Sequence, residues 1–264
     1  MSAGHRFRKW WAGLTAIPHR RRPVREIVRV IRNLAESLWT NTLFFDREIA
    51  CEPGQFMMVW LPRLGEKPFT LSYPNGITVK RAGRFTEALT SLGPGDTLGL
   101  RGPLGRGYPL LERPALVGGG VGIAELRLLA LRSDSPTFIL GGRTAEEILY
   151  FDEFQSLGPV KVATEDGSLG EKGLVTDLLP VDAGSYAVCG PERMMVACRS
   201  ILPDDRTHYA IERYMKCAVG LCGQCTCSGQ RVCVDGPIFP GKMLESMPDF
   251  GHRRRSKSGR WEKI

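Results

Sequence analysis

Ala115-Leu116-Val117-Gly118-Gly119-Gly120-Val121-Gly122-Ile123 is the stretch on which the reading of this chain turns. Three apolar residues held between Pro114 and a run of glycines read as a short buried strand, and Ile123 to Arg132 carries apolar residues at helical spacing. Strand, glycine turn and helix in that order form the first half of a parallel βα unit. In such a turn the bare backbone approaches a pyrophosphate at the start of the helix.

Downstream, strands at Thr137 to Leu140, Val160 to Thr164 and Tyr186 to Cys189 alternate with helical patterns at Ala145 to Leu157, Thr176 to Leu179 and Glu192 to Leu202. That alternation predicts an α/β nucleotide-binding domain with a parallel sheet and helices on both faces. Upstream the pattern differs. Val24 to Ile31, Phe56 to Trp60, Thr70 to Tyr73, Ile77 to Lys80 and Thr97 to Leu100 are short strands cut by Gly and Pro turns, which predicts a small antiparallel β-barrel. The expected divisions are a basic extension over 1–23, the barrel over 24–112, the α/β domain over 113–205, a cysteine segment over 206–240 and a basic tail over 241–264.

Five of the eight cysteines fall between Cys217 and Cys233. Cys217, Cys222 and Cys225 have the spacing C-x4-C-x2-C, and a more distant cysteine follows, as in plant-type [2Fe–2S] sites. Four thiolates must converge on two irons, with backbone N–H groups close to the sulfurs. Gly220 and Gly223 stand where side chains would obstruct that approach. The fourth ligand is Cys233 or Cys227. Cys233 is favoured because a hairpin at Ser228-Gly229-Gln230 returns it to the others, whereas Cys227 lies too near Cys225 to span to the far iron without strain. A structural zinc site and a redox dithiol at Cys222 and Cys225 are the competing readings. Cys51, Cys189 and Cys198 sit in apolar surroundings and read as buried small hydrophobes.

The net charge of +8 belongs to the ends of the chain. Residues 1–23 carry six basic side chains and no acid, and residues 252–264 carry six against Glu262, so the body sums to about −3. Such ends read as solvated, partly disordered tails and not as a nucleic-acid surface, with weak association with an acidic partner or a membrane surface as the alternative. The composition, 42% hydrophobic and 24% charged, is that of a globular protein, and no apolar run reaches the length of a membrane span. The N-terminal apolar stretch is short and ends in arginines, so a signal peptide is not expected and a cytoplasmic location is. The four histidines, His5, His19, His208 and His252, lie at or near tails and linkers with no evident chemistry.

Lys67-Pro68-Phe69-Thr70-Leu71-Ser72, then Gly83-Arg84-Phe85-Thr86, then the glycine turn and Cys189-Gly190-Pro191, resemble in their order the ferredoxin-reductase superfamily. The resemblance implies an FAD held by Lys67, Pro68, Phe69, Thr70 and Ser72, by Thr78, Val79 and Lys80 on the next strand, and by Phe85 and Thr86 at a helix start. It implies a nicotinamide nucleotide at Gly118, Gly119, Gly120, Gly122, Cys189, Gly190 and Pro191. Two departures stand out: Lys67 replaces the usual arginine and lacks its bidentate fork, and Glu125 replaces the usual proline.

With Met215-Lys216-Cys217 and Val232-Cys233-Val234-Asp235-Gly236-Pro237-Ile238-Phe239 added, residues 24–240 look like the electron-transfer subunits of NAD-linked dihydroorotate dehydrogenases. The similar small subunits of NADH-dependent ferredoxin:NADP oxidoreductases and of sulfide dehydrogenases typically have aspartate as first cluster ligand, where this chain has Cys217. The resemblance implies a catalytic partner subunit carrying FMN, in a heterotetramer of two of each, that oxidises dihydroorotate for pyrimidine biosynthesis. Electrons would pass through the [2Fe–2S] cluster to FAD and then to NAD⁺, and this chain would not itself bind dihydroorotate. The alternatives are a reductase serving ferredoxin, sulfur or a hydrogenase, and a zinc-binding interaction module.

Overall fold

The computed structural model describes residues 24–180 and 182–264. The expected basic extension, 1–23, lies outside them. Six strands close a barrel: β1 (Glu26–Ala35), β2 (Thr40–Phe45), β3 (Phe56–Leu61), β4 (Gly65–Tyr73), β5 (Gly76–Lys80) and β6 (Thr97–Leu104), in the order β1-β2-β5-β4-β3-β6. Every neighbouring pair is antiparallel. Val28, Val30, Leu43, Phe45, Ile77, Val79 and Leu98 fill the interior, and Phe85 and Leu89 of helix α1 (Arg84–Thr90) plug one end. Each fully buried side chain of this size contributes about 1.5–3 kcal/mol.

Strand β3 departs from simple alternation because both of its faces are covered. Met57, Val59 and Leu61 enter the barrel core, while Phe56 and Met58 join the core of the second domain. The unbroken apolar run Phe56-Met57-Met58-Val59 follows from that double burial.

The second sheet has seven strands: β7 (Pro114–Gly119), β8 (Thr137–Gly142), β9 (Val160–Thr164), β10 (Glu171–Lys172), β11 (Ser185–Cys189), β12 (Thr207–Ala210) and β15 (Ile238–Pro240). Their order is β10-β9-β8-β7-β11-β12-β15, parallel except for β15, which runs antiparallel to β12. The chain leaves β7 toward β8 on one side and returns to place β11 on the other. The strand order therefore reverses between the carboxyl ends of β7 and β11, the place where open α/β sheets form a crevice. Helix α2 (Gly122–Arg132) starts at that point, turning Ile123, Leu126 and Leu129 to the sheet and Leu128 to the barrel.

Three expectations change. The helix expected over Ala145 to Leu157 is two pieces, a 3₁₀ turn (Ala145–Glu147) and α3 (Phe151–Leu157), broken at Tyr150, which adopts a left-handed conformation with φ 58°. That conformation lets the Tyr150 hydroxyl reach Thr78 on the barrel at 2.5 Å. Second, the sheet continues past residue 205. The cysteine segment is an excursion between β12 and β15, comprising β13 (Thr226–Cys227), β14 (Gln230–Arg231) and α5 (Val232–Asp235), and its Cys225, Cys227, Val232 and Cys233 share one core with Tyr209 and Phe239. Third, residues 241–264 are folded. Helix α6 (Gly241–Leu244) leads into a hairpin of β16 (Arg253–Arg255) and β17 (Trp261–Lys263), and the Arg253 and Arg255 guanidinium groups each lie 4.6 Å from the Trp261 ring centre. Helix α4 (Glu192–Arg199) follows β11 and packs near this hairpin.

Candidate functional site

The loop from Lys216 to Gln224 is curled by three left-handed residues: Ala218 (φ 57°), Gly220 (φ 78°) and Gly223 (φ 68°). The curl turns backbone N–H groups inward. The Cys222 N–H donates to Cys217 Sγ at 3.4 Å. Burial pushes the Cys217 thiol up, but hydrogen bonds from the backbone of Val219, Cys222 and Leu221 outweigh it and bring the thiol down to about 7. At Gly220 a β-carbon would stand 3.1 Å from Val234 Cγ2, so the left-handed turn also packs tightly against the segment carrying Cys233.

The thiols gather in two pairs. Cys217 hydrogen-bonds with Cys222, and Cys225 accepts from Cys233. That acceptance draws Cys225 down to about 6 and pushes Cys233 up, because its proton is engaged. Among the described residues no three His, Cys, Asp or Glu groups close in as one bound ion requires. Two pairs of thiols, backbone N–H groups aimed at sulfur and the exposed thiol of Cys222 fit the ligand set of a two-iron cluster. Cys227 is placed elsewhere: it is fully buried, and its Sγ accepts from Arg213 Nη2 at 3.1 Å.

Between the barrel and the second sheet lies a groove of about 610 Å³. Lys67, Pro68, Phe69 and Thr70 of β4 and Thr78 and Lys80 of β5 line its barrel side, and Gly122 and Glu125 at the head of α2 line the other. Four further expected residues lie behind the wall. Ser72 is buried and bonded to Thr78 at 2.7 Å, and Val79 points into the barrel core. Phe85 is stacked at 6.2 Å on Phe69, with Lys67 Nζ 5.5 Å from its ring. Thr86 closes the start of α1, its hydroxyl donating to Gly83 O at 2.9 Å and accepting from Ala82 N at 2.8 Å.

A second cavity of about 790 Å³ sits over the strand-order reversal, lined by Gly119, Gly120, Gly122, Gly190 and Pro191. Gly118 and Cys189 lie beneath its floor, Gly118 against Ile123 and Cys189 against Glu125. Lys80, Val121, Gly122, Glu212 and Arg254 border both cavities, so the two communicate. At Gly122 a β-carbon would stand 2.6 Å from Cys189 O and 2.8 Å from Gly190 N, backbone atoms that cannot yield. Gly122→Ala is therefore expected to push the head of α2 away from the end of β11, costing about 1–3 kcal/mol. Thermal unfolding reads that cost, and a nucleotide titration should weaken with it.

Several contributors carried no sequence signal. Arg127 is buried, donates to Ser72 O at 2.8 Å, pairs with Glu153 and lies 3.6 Å from the Tyr73 ring centre, which locks α2 to the barrel. Arg254 to Lys257 of the C-terminal hairpin line the groove. Gln224, between Cys222 and Cys225, donates through Nε2 to Ser256 O at 2.7 Å, so the cysteine loop is tied to the groove wall. Glu212 stands on the same wall, where loss of hydration, aided by the charge of Glu192 and opposed by Arg254, pushes its carboxyl up.

The iron–sulfur cluster binding domain of dihydroorotate dehydrogenase B matches residues 212–245. Over 92% of its length the chain is 38% identical to a probable dihydroorotate dehydrogenase B (NAD(+)) electron transfer subunit of Methanocella arvoryzae, all of which is covered. It is 40% identical over 90% of its length to the subunit of that name from Methanothermobacter thermautotrophicus, covering 97% of it. Among solved structures it is similar to a chain of the NADH-dependent reduced ferredoxin–NADP oxidoreductase, with a TM-score of 0.71 and 28% identity over 87% of this chain and 90% of that one.

Proposed function

The chain belongs to the dihydroorotate dehydrogenase B electron transfer subunits, and from that premise we propose that it carries electrons from a catalytic partner to NAD⁺. The partner contains FMN and oxidises dihydroorotate to orotate in pyrimidine biosynthesis. Cys217, Cys222, Cys225 and Cys233 hold the [2Fe–2S] cluster, and the groove between barrel and sheet holds FAD. When bound, the flavin exchanges electrons singly with the cluster and as hydride with the nicotinamide.

The observation that carries this reading is continuity. The thiol pairs, the groove and the cavity over the strand-order reversal adjoin in one fold, and Gln224 to Ser256 joins the first to the second. The backbone of the loop, held on the barrel side by Arg101 donating to Cys217 O at 3.1 Å, fixes the thiols in place. Arg101 is itself paired with Glu66 at 2.8 Å. Lys80 faces the junction of the two cavities and is held there by Glu147 at 2.7 Å. Lys67, on the groove wall, offers a point charge for a phosphate.

Around the cluster loop Leu221 is 85% exposed and Val219 40%, beside the exposed Cys222. An apolar rim around an electron-transfer centre suits docking by the catalytic subunit, which we place in a heterotetramer of two of each. We place the complex in the cytoplasm. Among the described residues no helix is long and apolar enough to cross a membrane.

Anaerobic purification with the FMN subunit tests the reading. The expected product contains iron, acid-labile sulfide and FAD, is bleached by NADH and reduces NAD⁺ with dihydroorotate. A colourless chain with stoichiometric zinc would overturn it. Reduction of ferredoxin, sulfur or a hydrogenase without response to dihydroorotate would move the chain to another partner.

A further inference from the structure

Glu125 stands on the groove wall at the head of α2, and its surroundings suit one task. The Thr70 hydroxyl donates to its Oε2 at 3.2 Å, while Oε1 is buried with no hydrogen-bond partner. The elements around it bring the Cys189 thiol from the end of β11, the buried Tyr108 hydroxyl and the Glu212 carboxyl, which Arg254 faces in turn. Burial, aided by the charge of Glu212, pushes the Glu125 carboxyl up to about 7 against the hydrogen bonds from Cys189 and Thr70. A carboxyl in that setting is divided between its protonated and ionised forms near neutral pH, so it can both take up a proton and part with it.

We infer that Glu125 supplies the proton that the flavin takes up when electrons reach it through the cluster. The inference rests on the groove being the FAD site. Oxidised flavin, two electrons and one proton give the reduced flavin that donates hydride, and transfer to NAD⁺ removes that proton with both electrons. The cluster delivers electrons without protons. Oxidation of dihydroorotate on the partner releases two electrons and two protons, so the flavin's proton must enter the groove separately. The O–H bond of Glu125 breaks as an N–H bond forms on the flavin, and the carboxylate is reprotonated from water on the open side, where Glu212 stands.

The two directions of flavin reduction separate this role from a structural one. NADH brings its own hydride, whereas dihydroorotate-driven reduction needs the separate proton. In the complex carrying Glu125→Gln, the ratio of the dihydroorotate-driven to the NADH-driven rate of flavin reduction should fall about a hundredfold, the low end for a positioned acid. In the parent the dihydroorotate-driven rate should fall as pH rises through about 7, because the protonated form is the donor, and in the variant that dependence should vanish. Infrared difference spectra on flavin reduction give a readout independent of turnover: a protonated-carboxyl band that shifts in D₂O in the parent and is missing in the variant. An unchanged rate ratio with FAD bound, or a carboxyl band that persists, overturns the inference. Should Glu125→Gln lose FAD, Thr70→Val reads the same ratio, and an unchanged ratio there counts equally against it. A parent complex that binds no FAD, or is not bleached by NADH, defeats the functional reading instead.

Discussion

Cys233→Ser should leave the protein with less than about a tenth of its iron and no cluster absorption, while Cys227→Ser keeps both. The two cysteines are six residues apart and both fully buried, so burial does not separate them. Their partners do. Residues Ser228 (φ 48°) and Gly229 (φ 86°) turn the chain between β13 and β14, and Cys233 comes back against Cys225. The thiol of Cys227 instead meets the Arg213 guanidinium. A serine hydroxyl does not ionise near neutral pH and is a poor iron ligand, so replacing one member of the Cys225–Cys233 pair opens one iron. At Cys227 the same change removes a sulfur acceptor and offers an oxygen, costing about 1 kcal/mol. Iron, sulfide and FAD are assayed together. FAD retained in Cys233→Ser separates a lost cluster from a lost fold, and the opposite iron contents in the two variants would reverse the assignment.

The glycine turn and the cysteine spacing were readable because each is local. One strand, one tight turn and one helix need no distant partner to be recognised, and a loop that wraps a cluster advertises its ligands and its glycines together. What lay hidden depends on contacts between distant residues. Arg253-Arg254-Arg255 reads as solvated charge, yet across the hairpin Arg253 and Arg255 flank Trp261 and Arg254 pairs with Glu262 at 3.0 Å. Tyr150 breaks a helix without glycine or proline because its hydroxyl is wanted at Thr78, a demand set by the barrel and not by its neighbours in sequence. The sheet's last strand, β15, lies beyond the whole cysteine excursion, so a sequence reading places the sheet edge at residue 205 although the closing strand begins 28 residues after β12 ends. Glu125 was visible as a departure, but its burial against Cys189 and Thr70 was not.

Arg213→Ala should destabilise the protein by about 3–5 kcal/mol, the cost of leaving a buried carboxylate without its partner. Arg213 Nη1 and Nη2 grip Glu192 Oε2 and Oε1 at 2.6 and 2.9 Å, and their side chains are 1% and 9% exposed. The same guanidinium donates to Glu212 O at 2.8 Å and to Cys227 Sγ, while Glu192 Oε1 also accepts from Gly251 N at 2.6 Å. One ion pair thus joins α4, the segment between β12 and the cluster loop, β13 and the approach to the C-terminal hairpin. Arg213→Lys keeps the charge but loses the fork, so it should recover only part of the loss. The pair Arg213→Met with Glu192→Leu removes both charges from the interior and should be more stable than Arg213→Ala, since well-packed apolar pairs replace buried ion pairs at little cost. For a chain of this size the single change corresponds to a fall in Tm of roughly 10 °C. If Arg213→Ala melts with the parent, or the double variant melts below it, the charge pair is not what holds the cluster segment to the sheet, and the apolar contacts of Cys225, Val232 and Phe239 carry that junction alone.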